Sequence, residues 1–336
     1  MFRSLVRHIF HFILFFVGTI SIVYGISWLL SQKNFQPEYG ISFNHEHALH
    51  LELDWKLVYG DILTDLQPKY IRLAAMWDEV EPQKGEWFFE HVDFMLDAAA
   101  ANNTKVLLVV GQKAPRWPEC HIPQWAEDVS VHDRREQVMS YVSTVVERYK
   151  DHPALEYWQI ENEPYIPFTF GECAAFDQTI VEAEVSLVKQ IDPNHPVVLT
   201  DSGEMSIWYP AAVGGDVFGT TLYRIVRTPS GRIWNYDWMP PGFYRLKSEL
   251  FGLSPETFFV AELQAEPWFT GDGPNGTSLE SQQETMTPER MAQHIAYADH
   301  VGASRVYLWG AEWWYWMRER HNNSSFWDIA RDILTR

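Results

Sequence analysis

Leu155-Glu156-Tyr157-Trp158-Gln159-Ile160-Glu161-Asn162-Glu163-Pro164 begins as an apolar, aromatic run of strand-like composition and ends abruptly on two acids, an amide and a proline. A buried strand is expected to stop there at a polar surface. In parallel α/β architectures the chemistry sits at the C-terminal ends of strands, because the loops there vary without disturbing the packed centre. Glu163 is therefore a candidate catalytic carboxylate, to be weighed against an ordinary solvated acid beside a turn proline.

Working outward, seven further strand-like runs join 155–162: residues 39–44, 70–75, 105–111, 196–201, 217–223, 257–262 and 305–310. Helical patterns alternate with them at 51–66, 88–102, 134–150, 174–191, 206–213, 241–251, 288–301 and 325–334. The helix beginning at 288 has a cap in Thr287, a proline at its first position and a stop in Gly302. Eight strands alternating with helices over about 300 residues predict an α/β fold, a closed (β/α)8 barrel, with an open doubly wound sheet as the alternative. No Gly-x-Gly-x-x-Gly follows the first strand, which speaks against a dinucleotide site.

The formal charge of −19, from 26 basic and 45 acidic residues, argues against nucleic acid or an anionic lipid surface as a partner. The 16 Trp, 15 Tyr and 20 Phe exceed what a core demands, and aromatic faces suit the C–H faces of sugars. Residues 9–30 contain no Asp, Glu, Lys or Arg and are long enough to cross a bilayer. Arg3 and Arg7 precede this run and only Lys33 and Glu38 follow closely, so the positive-inside bias puts the amino terminus in the cytoplasm. The expected organisation is a cytoplasmic segment 1–8, an uncleaved signal anchor 9–30 in the lipid bilayer, a linker 31–38 and an extracytoplasmic catalytic domain 39–336 that owes nothing to the anchor for its packing. A cleaved signal peptide is the rival, but the run exceeds the usual 7–15-residue apolar region and no small-residue cleavage site ends it. Outside the cytoplasm the two cysteines, Cys120 and Cys173, are expected to pair.

The seventh strand, Thr257-Phe258-Phe259-Val260-Ala261-Glu262, also runs into an acid, 99 residues beyond Glu163. Strands four and seven face each other across a barrel mouth, and two opposed carboxylates are what glycoside hydrolysis requires. Glu266 is the competing acid, four residues further on.

Asn162-Glu163-Pro164 and Ala261-Glu262 resemble the acid/base and nucleophile motifs of the clan A glycoside hydrolases, which are (β/α)8 barrels. Residues 72–87, with Arg72 followed by W-x-x-x-E-P-x-x-G, are similar to the clan's strand-two region. Gln159-Ile160-Glu161-Asn162-Glu163 and Ala114-Pro115-Arg116-Trp117 are similar to the family-42 and family-35 β-galactosidases, and related cellulase-like hydrolases share the pattern. The order of motifs spans nearly all of 39–336. The resemblance implies a retaining glycoside hydrolase that cleaves β-linked glycans by double displacement without a cofactor or metal. It implies Glu163 as acid/base, Glu262 as nucleophile, Arg72 beside the nucleophile, Asn162 on the sugar 2-hydroxyl, Tyr223 against Glu262 and Trp309 as a sugar platform, with Trp117 and Asn44 as further substrate contacts. The run 309–316, Trp-Gly-Ala-Glu-Trp-Trp-Tyr-Trp, is expected to turn at least one ring toward substrate.

His45-Glu46-His47 after the first strand offers a competing reading, since His-x-His resembles the first-strand ligands of amidohydrolase barrels. Such a site needs histidines on strands five and six, but none occurs between His195 and His294. His45 or His47 is expected to line the sugar cleft instead. A non-catalytic carbohydrate-binding barrel is the other alternative, but it has no need of two opposed acids.

Overall fold

The structure is a computed structural model that describes residues 2–166, 171–173, 176–228, 230–269 and 273–336. Eight hydrophobic runs become eight strands: β1 (Glu38–Ser42), β2 (Tyr70–Ala74), β3 (Lys105–Val110), β4 (Leu155–Ile160), β5 (Val197–Asp201), β6 (Val217–Leu222), β7 (Phe258–Gln264) and β8 (Arg305–Trp309). Each pairs in parallel with its sequence neighbours, and β8 returns to β1 from Glu38 opposite Arg305 to Ser42 opposite Trp309. The sheet is a closed barrel rather than an open doubly wound one.

Strand alternation sorts the side chains into layers. Outward-facing residues such as Ile71, Leu73, Val106, Leu108, Trp158 and Val260 pack under the helices in one large cluster, while Leu107, Val109, Val198, Val217, Phe259 and Tyr307 form a separate cluster inside the barrel. At the N-terminal end of that interior, Arg305 pairs with Glu156 at 2.8 Å and lies 3.5 Å over the ring of Tyr70. Toward the C-terminal ends the inward positions turn polar, with Arg72, Gln159, Thr200, Thr221 and Glu262 all buried. A hydrophobic plug thus carries a polar layer at the mouth.

All eight expected helices form, with shifted ends; residues 174–175, the first two of one of them, lie outside the described residues. Thr287 caps Pro288–Ala298 by accepting the N–H of Arg290. Three larger features differ from expectation. β7 does not stop at Glu262 but continues to Gln264, because a register shift opposite Thr220 and Thr221 leaves Ala261 as an extra residue and keeps the ladder going. A short antiparallel hairpin, Ile225–Arg227 with Ile233–Asn235, stands above β6. The aromatic run becomes a helix, Ala311–His321, in which Trp313, Trp314 and Trp316 are buried; Trp313 donates to Gln282 Oε1 and Trp314 to the carbonyl of Ala265.

Phe2–Leu30 is one continuous helix, and Val6–Leu30 is long and apolar enough to cross a membrane. Its final turn is not independent of the barrel, which corrects that expectation. Ser27 is buried, and the N–H of Gly242 donates to Ser31 Oγ at 2.8 Å. A side chain at 242 would run into the Ser27 carbonyl, so glycine is what lets the two helices touch.

Cys120 and Cys173 form a disulfide that ties the loop after β3 to the loop after β4 across 53 residues. Cross-linking a loop of this length restricts the unfolded chain by about 4 kcal/mol in the chain-entropy model. Replacing both cysteines with serine should lower unfolding stability by about 2–4 kcal/mol in denaturant titration; an unchanged midpoint and slope would show that the bond contributes nothing.

Candidate active site

After Ile160 the chain makes a tight turn in which Glu161 and Glu163 both take left-handed backbone angles, φ +57° and +44°. Such angles are costly for a residue with a side chain and persist only where the surroundings fix them. Here Glu161 provides the fixing. Its buried carboxylate accepts the N–H of Gln112 at 2.9 Å and that of Lys113, while its own N–H donates to the carbonyl of Val110. Gly111 must be glycine, because at φ +127° a Cβ would lie 2.5 Å from the Glu161 carboxyl carbon. Glu161 thus acts on the backbone, and Asn162 and Glu163 are left to face the mouth.

Glu163 is buried, with its N–H on Thr200 Oγ1 at 3.0 Å and its Oε1 accepting from Thr221 Oγ1 at 3.0 Å. Burial, and next the negative charge of Glu262, push its pKa up to about 8, with Lys113 pulling the other way. Glu262 Oε1 takes a bond from Arg72 Nη1 at 2.7 Å and Oε2 one from the Tyr223 hydroxyl at 2.7 Å. The same guanidinium donates through Nη2 to Asn162 Oδ1 at 2.9 Å and through Nε to Gln159 Oε1 at 2.8 Å. One arginine, from β2, therefore locks the residue beside Glu163 to Glu262 across the barrel. Asn162 uses its amide nitrogen on Glu119 Oε2 at 3.3 Å, and burial pushes that acid up to about 7 against the pull of Lys113.

Glu266 has a different partner. Arg116 grips both of its oxygens and reaches Glu312 Oε2 at 3.0 Å. That guanidinium also stacks 4.1 Å from the ring of Trp309, so one face of this tryptophan is already covered. Asn44 sits beside them as the cap of the helix His45–His50, with Oδ1 on the His47 N–H and its amide nitrogen 3.3 Å from the Pro115 carbonyl. Asn44, Arg72, Arg116, Trp309 and Glu312 line one small cavity at the mouth. Trp117 stands on the rim, 61% exposed.

Sequence reasoning missed the backbone role of Glu161, the Arg116–Glu266–Glu312 cluster and the threonines flanking Glu163. The one signal for them was the presence of Glu161 and Arg116 inside quoted motifs. His47 is held well below the ordinary imidazole range by burial and by Arg116, and so is neutral; His45 pairs with Glu79. His45, Glu79 and His91 are the described residues whose spacing could hold a metal ion.

Residues 74–176, which carry β3, β4 and both acids of the Glu161-Asn162-Glu163 turn, match the model of glycosyl hydrolase family 10. The chain is 25% identical to β-galactosidase Pbg of Clostridium perfringens over 155 residues, 40% of this chain and 22% of that one. These matches support a clan A glycoside hydrolase. A probable mannan endo-1,4-β-mannosidase F of Aspergillus flavus is 32% identical over 68 residues, 19% of this chain and 13% of that one, so this chain matches about a fifth or less of the length of these curated relatives. In fold it resembles native xylanase 10B of Thermotoga maritima, with a TM-score of 0.59 and 15% identity over 92% of this chain and 97% of that one. A cold-adapted β-galactosidase from Rahnella sp. R3 superposes with a TM-score of 0.58 and 13% identity over 91% and 56%.

In this barrel the Arg72–Glu262 pair is 1% and 5% exposed, and a buried ion pair that loses one partner strands the other. Arg72→Met should destabilise the fold by about 3–5 kcal/mol in urea at neutral pH. A change below about 1 kcal/mol would mean that water or another cation takes over the charge.

Proposed function

We propose that the protein is a retaining glycosidase acting on a β-linked glycan or oligosaccharide, with Glu262 as nucleophile and Glu163 as acid/base. The observation that carries this reading is the arginine-centred lock. Arg72 and Tyr223 leave Glu262 fixed with a cation on one oxygen and a hydroxyl on the other, while Glu163, buried and pushed up to about 8, has a proton to give at neutral pH. In the first step Glu262 attacks the anomeric carbon while Glu163 protonates the departing glycosidic oxygen, which leaves as an alcohol. In the second, Glu163 takes a proton from water, the water oxygen attacks the anomeric carbon, and Glu262 is released as the carboxylate. Asn162, oriented by Arg72 and Glu119, is assigned to the sugar 2-hydroxyl, and Trp117 and Asn44 to more distant sugar contacts. Trp309 is assigned a sugar contact through the face that Arg116 does not cover.

The apolar helix is assigned as a signal anchor that holds the barrel at the outer face of a membrane, a compartment in which the Cys120–Cys173 bond is stable. Full-length protein in detergent, assayed on a panel of β-linked aryl glycosides and oligosaccharides, tests the activity. Release of sugar that depends on both Glu163 and Glu262 is expected. Sugar binding without any hydrolysis by folded protein would favour a carbohydrate-binding barrel instead.

A further inference from the structure

Beside the mouth, the segments following β1, β2 and β3 bring three histidines and three carboxylates together. His45 Nε2 lies 2.7 Å from Glu79 Oε2, and His91 Nδ1 lies 3.7 Å from the same oxygen. Next to them His121 places Nδ1 at 3.5 Å from Asp78 Oδ2 and 3.8 Å from Glu46 Oε2.

Two features point beyond a set of ordinary ion pairs. The first is charge. Among the described residues no Lys or Arg nitrogen lies within 4.0 Å of the carboxylates of Glu46, Asp78 or Glu79, whose ion-pair partners are histidines alone. Three carboxylates thus share a partly buried space with no Lys or Arg beside them. The second is an unmet hydrogen-bonding demand. The His121 side chain is fully enclosed with Nδ1 paired to Asp78, yet its Nε2 makes no hydrogen bond, and the buried Asp78 Oδ1 makes none either. Native proteins seldom leave such groups unsatisfied unless an ion or water serves them.

We propose that His45, Glu79 and His91 bind a divalent cation of the zinc type, with Glu46 as the nearest further oxygen donor and Asp78 and His121 as the groups packed behind it. One donor atom from each of the three ligands falls within 4.8 Å of the others. Two imidazoles and a carboxylate suit zinc and its first-row neighbours, whereas magnesium and calcium select all-oxygen sites. Zinc bonds of about 2.0–2.2 Å at tetrahedral angles require His91, half-buried on its helix and with room to swing, to move in, and His45 Nε2 and Glu79 Oε2, now 2.7 Å apart, to separate slightly. Trp55 orients both rings, its centroid 5.2 Å from that of His45 and 5.3 Å from that of His91.

The site differs from the His-x-His arrangement considered for the sequence. His45 takes part and His47 does not, and the remaining ligands come from the loop after β2 and from the helix Glu90–Ala101 instead of from β5 and β6. Its role is to fasten the segments after β1 and β2 together, and it uses neither Glu163 nor Glu262, so it stands whether or not the chain hydrolyses glycans.

The test uses tag-free, full-length protein in detergent, stripped with chelator and titrated with zinc chloride, with bound metal counted by elemental analysis after gel filtration. One zinc per chain is expected, together with a rise in the thermal midpoint as zinc is added. His91→Ala removes a half-buried ligand without opening the core, and it should weaken zinc binding by roughly 100-fold or more and abolish the thermal shift. Glu79→Gln should do the same, whereas His132→Ala, on the exposed surface, should change neither. No stoichiometric zinc, equal binding by His91→Ala, or equal competition by calcium at the same site would each overturn the assignment.

Discussion

Glu262→Ala is expected to lower turnover by about 10⁴-fold or more on every substrate, whatever its leaving group. That loss is at least about 5 kcal/mol of transition-state stabilisation, at about 1.36 kcal/mol per decade. The breadth follows from the geometry. Glu262 accepts from Arg72 and Tyr223, so its two oxygens are already aimed, and neighbouring Glu266 cannot replace it because Arg116 holds both of that acid's oxygens. An activated aryl leaving group should not rescue the variant, since without a nucleophile the glycosyl-enzyme does not form. Full activity in Glu262→Ala combined with loss in Glu266→Ala would reverse the assignment of the two acids.

The second large effect is selective. Glu163→Ala should cost about 10²–10⁴-fold on substrates whose leaving group needs a proton, and far less on aryl glycosides with acidic phenols. Azide should restore turnover, because a small anion can enter beside Thr200 and Thr221 and attack the glycosyl-enzyme without a general base. The product should be a β-glycosyl azide. The same residue sets a pH limit. Burial and the Glu262 charge raise Glu163 above the ordinary carboxyl range, so its acid form persists at neutral pH and is lost as pH rises through about 8. The activity of the parent enzyme should fall across that range, and Glu163→Gln should lose this alkaline limb along with most of its rate. A falling limb that survives in Glu163→Gln would belong to another group.

The barrel was legible because each of its strands is a continuous hydrophobic run, as strands buried on both faces must be. Less visible was whatever depends on contacts between distant residues. The bulge at Ala261 that carries β7 past Glu262 arises from pairing with β6, and nothing in Val260-Ala261-Glu262 announces it. The run 309–316 does not announce the helix Ala311–His321, because that helix is buried on several sides at once and so lacks the one-sided stripe by which a surface helix is recognised. At the site, Glu163, Glu262, Arg72, Asn162 and Tyr223 could be named from motif order, and the structure joins the last three to Glu262 in a single hydrogen-bonded set. The Arg116–Glu266–Glu312 cluster and the His45–Glu79–His91 group could not be named, since each joins acids and bases brought together by the barrel's closure or by loop packing rather than by spacing along the chain.

The stereochemistry of the first product tests the central claim most directly. Proton NMR of the reducing sugar released from a β-linked substrate, recorded before mutarotation, should show the β anomer first, as double displacement through Glu262 requires. The α anomer appearing first would mean that water attacks in one step, and would remove Glu262 from the role of nucleophile.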